Sequence, residues 1–240
     1  PTVTTLTQSS NAILEFSGTV PAITTLTASA SGNLVKYTTT ASQAIKGATY
    51  NDLTLTGATP TIGGTTVVNG TMTITGVTAT NNSTLTVTTA LSGTGGLTQG
   101  ASSTLNLGGT SGITTLTATA ASNTVNYSAT SGGQTVKATT YNNLTLSNTS
   151  GTQTAGGNLV VNTGTLTTTA GGTLDMTSAY TLSGSATFTN NGTISTAVPT
   201  ATSSTPIPSG KTWAGTIEYN SASAQTVVVG TYGNLTISTG

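Results

Sequence analysis

Apolar and polar residues alternate along most of the chain with a period of two. In residues 52–56 (DLTLT) and 71–75 (TMTIT), every second side chain is Leu, Met or Ile and the residues between are mostly threonine. A β-strand sends successive side chains to opposite faces, so each such run predicts a short strand with one apolar and one hydroxylated face. Pieces of this kind, DLTLTG, TMTITG, STLTVTT and STLNLGG, are separated by Gly, Asn and Ser clusters that read as turns.

The strands belong to a long repeat. QAIKGATYNDLTLTG from Gln43 returns as QTVKATTYNNLTLSN from Gln134 and QTVVVGTYGNLTIST from Gln225, so that Tyr50, Tyr141 and Tyr232 stand 91 residues apart. ITTLTASAS from Ile23 returns as ITTLTATAA from Ile113, and LTQSSNAILEF from Leu6 returns loosely as LTQGASSTLNL from Leu97. Within this unit ILEF (Ile13), LVKY (Leu34), TVNY (Thr124) and TIEY (Thr216) are versions of one strand, and landmark residues recur about every 20 positions.

A sub-period of about 20 residues suits one turn of a parallel β-solenoid, in which each strand pairs with its counterpart in the next coil at about 4.8 Å. The expected fold is all-β, a single continuous solenoid over residues 1–240 with about 2.6 copies of the 91-residue repeat. Threonines then stack as hydroxyl ladders, Asn51 and Asn142 as amide ladders, and the glycine pairs 63–64, 95–96, 132–133, 156–157 and 171–172 mark corners with positive φ. Residues 197–210, with Pro199, Pro206 and Pro208, read as a projecting loop. The rival is a string of immunoglobulin-like sandwiches, which the 91-residue unit would suit. Against it stand the shorter sub-period and the shortage of the bulky aromatics that fill the space between two sheets.

Composition narrows the function. Only 3% of residues are charged, four lysines against four carboxylates, with no arginine, histidine or cysteine. A net charge of zero offers no footprint for nucleic acid or an anionic membrane surface, and no run approaches the about 20 apolar residues of a membrane-spanning helix. A Thr/Ser/Asn/Gly-rich, nearly uncharged surface points to an extracellular or cell-surface location.

Motifs such as YNDLTLTG, YNNLTLSN, AGGNLVVNTGTLTTTAGGTLDM and SATFTNNGTIST resemble the repeats of large secreted bacterial surface proteins of the filamentous-haemagglutinin and autotransporter-passenger β-helix kind. The resemblance covers nearly the whole chain outside residues 197–210. It implies an extracellular adhesive or scaffold role and carries no catalytic residue with it.

Catalysis finds little support. Glu15, Asp52, Asp175 and Glu218 are the only carboxylates, and glycoside hydrolysis needs two of them across one bond. Each reads as a solvated strand or corner residue. Glu15 and Lys36 occupy equivalent places in ILEF and LVKY, which predicts an ion pair between adjacent coils. Lys46 and Lys137 are equivalent to Val228, so a charge there is optional. The Tyr50, Tyr141 and Tyr232 row reads as core or corner tyrosine rather than a sugar platform. No cofactor or metal site is expected, since the usual nitrogen and sulfur ligands are missing.

Three functional readings remain. The leading one is a non-enzymatic filament subunit or adhesin stalk that associates with itself head to tail, either as a homopolymer or as part of a longer array. Its contacts would lie at Pro1, Thr2 and Val3 and at Leu235, Ile237 and Gly240, since the last strand followed by PTV continues the repeat. Cell-surface or polysaccharide ligands are compatible partners of such a stalk. The second reading is an ice-binding protein using Thr-x-Thr ladders, as at Thr54/Thr56 and Thr115/Thr117. The third is a carbohydrate-binding or polysaccharide-degrading β-helix.

Overall fold

The computed structural model describes residues 2–239, which form β-strands and turns with no helix among them. Strand pairing is parallel throughout, between segments about one sub-period apart, so the fold is a β-solenoid and not a set of sandwiches. The chain divides into two compact units, residues 1–123 and 124–240.

In the first unit the coils from Gln43 onward run over three faces, while in the coils before it Thr2–Thr7 and Ala22–Thr27 pair as a separate two-stranded sheet. One carries Gln43–Ile45, Pro60–Ile62, Thr78–Asn81, Gly96–Gln99 and Thr115–Thr117. The next carries Thr49–Tyr50, Thr66–Val68, Thr84–Val87 and Thr104–Leu107. The third carries Ile13–Phe16, Leu34–Tyr37, Asp52–Leu55, Thr71–Ile74, Ala90–Ser92 and Thr110–Ser111. Val35, Leu53, Met72 and Leu91 stack in one column of that third face, each at most 1% exposed. Burial follows the period of two: Asp52–Leu55 and Thr71–Ile74 alternate half-exposed and buried. Only the inward row must be apolar, which is how a chain with so few large hydrophobics fills its core.

The second unit repeats the design. Val125, Leu144, Leu166 and Phe188 stack on one face, and Leu174, Ile194, Ile217 and Leu235 on another. A third face holds Thr140–Tyr141, Leu159–Val161 and Leu182–Ser183. Outward threonines form columns in both units, Thr61, Thr80, Thr98 and Thr117 in the first and Thr145, Thr167 and Thr189 in the second.

Several local expectations are corrected. Of the glycine pairs, only Gly132, Gly133 and Gly171 have positive φ. At Gly95 the requirement is close approach instead: a Cβ there would lie 2.3 Å from the Val77 carbonyl oxygen. The Asn51 amide donates to the Asp52 carboxylate at 2.8 Å and to the Asn33 carbonyl at 3.4 Å, and the Asn142 amide donates to the Thr163 hydroxyl at 3.0 Å. Residues 197–210 project only at their exposed tip. Val198, Pro206 and Ile207 are buried, the Ala197 N–H donates to the Thr177 carbonyl at 2.9 Å, and the Leu182 N–H to the Pro206 carbonyl at 3.0 Å. Three apolar residues placed at the ends of the segment pull it back into the wall.

Candidate functional site

The chemistry-bearing side chains fall into three groups. The first is a buried tyrosine network. Tyr37 enters from the third face of its unit and Tyr50 from the second, and their hydroxyls lie 3.2 Å apart. Both hold one residue of backbone: the Lys46 N–H donates to the Tyr37 hydroxyl at 3.2 Å, and the Tyr50 hydroxyl donates to the Lys46 carbonyl at 2.5 Å. The second unit rebuilds it with Tyr127 and Tyr141, 3.3 Å apart, around the Lys137 peptide groups at 2.8 and 2.5 Å. Tyr219 and Tyr232 do the same to Val228 at 3.2 and 2.5 Å. The clamp uses only the main chain of its central residue, which explains why Lys, Lys and Val serve equally at 46, 137 and 228. Burial pushes the hydroxyl pKa up for Tyr37, Tyr50, Tyr127, Tyr141 and Tyr232. These phenols are held neutral as structural groups.

The second group is the carboxylates. Glu15 and Lys36 are register partners on adjacent strands, on one face as the repeat implies. Among the described residues no ion pair joins them, and Glu15 Oε1 accepts the Thr38 hydroxyl at 2.9 Å instead. Asp52 caps a corner, accepting the Thr71 N–H at 2.6 Å. Asp175 and Glu218 share a column with Ser195 between them, a convergence that the uneven coil lengths hide in the sequence. Asp175 accepts the Thr177 N–H at 2.8 Å and the Ser195 hydroxyl at 3.3 Å, and Glu218 accepts the Ser238 hydroxyl at 3.1 Å. Each carboxylate thus completes its own strand or corner. Among the described residues no three His, Cys, Asp or Glu side chains gather as a metal would need.

Comparison with protein-family models, with curated proteins and with solved structures finds no match. The geometry of the chain itself therefore carries the functional reading.

The third group is the residues expected to mediate assembly. Pro1 and Gly240 lie outside the described residues. Thr2 and Val3 belong to the strand Thr2–Thr7, which pairs with Ala22–Thr27. Leu235 and Ile237 lie on Gly230–Ile237, where they are 42% and 71% exposed. Val229 in the same coil is 79% exposed. Threonine columns, the basis of the ice-binding expectation, run on more than one face, and Lys36, Asp175 and Glu218 interrupt the outward rows.

Proposed function

We propose that the chain is a structural element of an extracellular filament or adhesin stalk, and that its exposed apolar coil is covered by a further coil, of a second copy or of a longer repeat array. The observation that carries this reading is a contrast between equivalent repeat positions. Val136, Leu144 and Leu146 are fully buried at 0% exposure, whereas Val227, Leu235 and Ile237, one repeat later, are 39%, 42% and 71% exposed. The same side chains on the same strand type are closed off where another coil lies on them and open where none does. Stacking a further coil adds main-chain ladder bonds and apolar burial together, the pair of terms that holds each coil inside the units. The nearly uncharged outer rows suit such stacking, since like charges would repel at each step of about 4.8 Å.

Sedimentation velocity across a hundredfold concentration range tests the proposal. The expected result is concentration-dependent growth beyond the monomer, lost in Ile237→Lys and Val229→Lys and retained in Thr98→Lys, a control on a laddered outer column. Dispersed monomers at every concentration would refute cover by a second copy. The external location is tested separately by protease accessibility on intact source cells.

A further inference from the structure

One interior amide is left without partners. Gln43 is 6% exposed, points into the core from the strand Gln43–Ile45, and neither its Oε1 nor its Nε2 finds a hydrogen bond. Its repeat equivalents are satisfied. Gln134 Oε1 accepts the Ala129 N–H at 3.0 Å and the Gln153 side-chain amide at 2.9 Å. Gln225 Oε1 accepts the Ser221 N–H at 2.7 Å, and its Nε2 donates to the Thr196 carbonyl at 2.9 Å. Leaving a buried amide unpaired is costly, so identical residues in equivalent places that differ in this way mark a place where something else completes the bonding.

That place is a cavity of about 490 Å³, within the usual range of ligand sites, walled by Val20, Ile23, Thr39, Gln43, Ile45 and Lys46 among others. It lies where the ladder of the first unit opens. Ala22–Thr27 pairs only with Thr2–Thr7, and Gln43–Ile45 pairs only with Pro60–Ile62, although the two belong to successive coils. Beyond the opening the same two coils are joined by a bridge between Ala28 and Tyr50 and by the ladder of Leu34–Tyr37 on Asp52–Leu55. The opening is thus a wedge with a strand edge on either side, apolar side chains inside and one unpaired amide in its wall.

We propose that this wedge binds an extended peptide segment that carries an inward-facing Gln or Asn. Two features select a peptide. Both walls offer unpaired strand edges, which an extended main chain satisfies by strand addition. Two interior amides elsewhere in the fold find an amide one coil away: Asn81 Nδ2 donates to Gln99 Oε1 at 2.8 Å and Gln153 Nε2 to Gln134 Oε1 at 2.9 Å. A Gln or Asn on the incoming segment gives Gln43 the partner that those pairs already have, and an aliphatic residue two positions on packs beside Ile45 and Ile23. The bridge at Ala28 limits the inserted stretch to a few residues. This site is independent of the apolar coil at residues 227–237.

The test uses a capped, dye-labelled peptide Gly-Gly-Gln-Thr-Val-Lys, the chain's own residues 132–137, followed by fluorescence anisotropy on the full chain. Saturable binding is expected, weakened about tenfold or more when Leu replaces the peptide's Gln, the effect of leaving one buried amide unpaired. The same loss is expected in Gln43→Leu and in Ser42→Trp, which plugs the lip of the cavity from an exposed position. Circular dichroism confirms folding, and Ser42→Trp carries the test alone if Gln43→Leu does not fold. Ile237→Lys should bind as the parent does. Equal affinity for the Gln and Leu peptides, unchanged binding in Ser42→Trp, or loss of binding in Ile237→Lys would each overturn the assignment. So would displacement of the peptide by maltose or acetate, which would give the cavity to a small polar ligand.

Discussion

The hydroxyls of Tyr37 and Tyr50 meet at 3.2 Å, and between them they bond both the N–H and the C=O of Lys46. Two residues from different faces thus hold the main chain of one residue that belongs to neither of their strands. The arrangement satisfies a main-chain donor and acceptor inside an apolar wall, where leaving them open would be costly. Because the same three-residue arrangement returns around Lys137 and Val228, it acts as a device of the repeat that fixes the turn before each YN-LTL-type strand.

Removing one hydroxyl should therefore be expensive. Tyr50→Phe and Tyr141→Phe leave a carbonyl unpaired, and each is predicted to lower unfolding stability by about 1 to 3 kcal/mol. Tyr232→Phe, at a less buried site, should cost less. Urea denaturation followed by circular dichroism checks the order, and equal small losses at all three sites would remove the clamp from the account.

The same tyrosines set an alkaline limit. Their folded-state pKa values are raised by burial, so above about pH 10 the unfolded chain loses phenolic protons that the folded chain keeps. Stability is then flat with respect to these groups below about pH 10 and falls above it, by about 1.4 kcal/mol per pH unit for each such tyrosine. Tyrosinate absorbance should appear together with loss of the circular-dichroism signal. Early titration of all seven tyrosines in a chain that stays folded would contradict the buried network.

Gly93 and Gly184 are repeat equivalents with φ of +112° and +116°, and a Cβ on either would lie about 2 Å from a carbonyl oxygen, that of Ile74 or Val161. Gly76 also has positive φ, +70°, but faces open space. Gly93→Ala and Gly184→Ala are predicted to cost more than 2 kcal/mol, from strain and displaced backbone, and Gly76→Ala only about 1 kcal/mol, from strain alone. Thermal unfolding of the three variants tests the ranking.

Lys36→Met should change stability by less than about 0.5 kcal/mol, because Glu15 is already bonded to Thr38 and no ion pair is lost. A larger loss by the same measurement would restore the ion pair that register alone suggests.

Much of the wall was legible in the chain. The period of two in residues 52–56 and 71–75 identifies the inward rows, and the recurrence of ILEF and LVKY gives a register that places Glu15 opposite Lys36. What remained hidden depends on side-chain reach and coil length. Tyr37 and Tyr50 are 13 residues apart in different motifs, and their shared partner is backbone, which carries no sequence signal. Asp175 and Glu218 fall in one column two coils apart, and because the intervening coils differ in length no constant spacing announces them. Gln43 looks the same as Gln134 and Gln225 in sequence and differs only in what its neighbours offer.

The most direct test of like-on-like stacking is X-ray diffraction from oriented, concentrated protein, with electron micrographs of the same preparation. Coils of successive copies continuing one ladder predict unbranched filaments and a reflection at about 4.8 Å along the filament axis, both absent in Ile237→Lys. Dispersed particles without filaments, or filaments whose 4.8 Å reflection lies across the axis, would contradict the account.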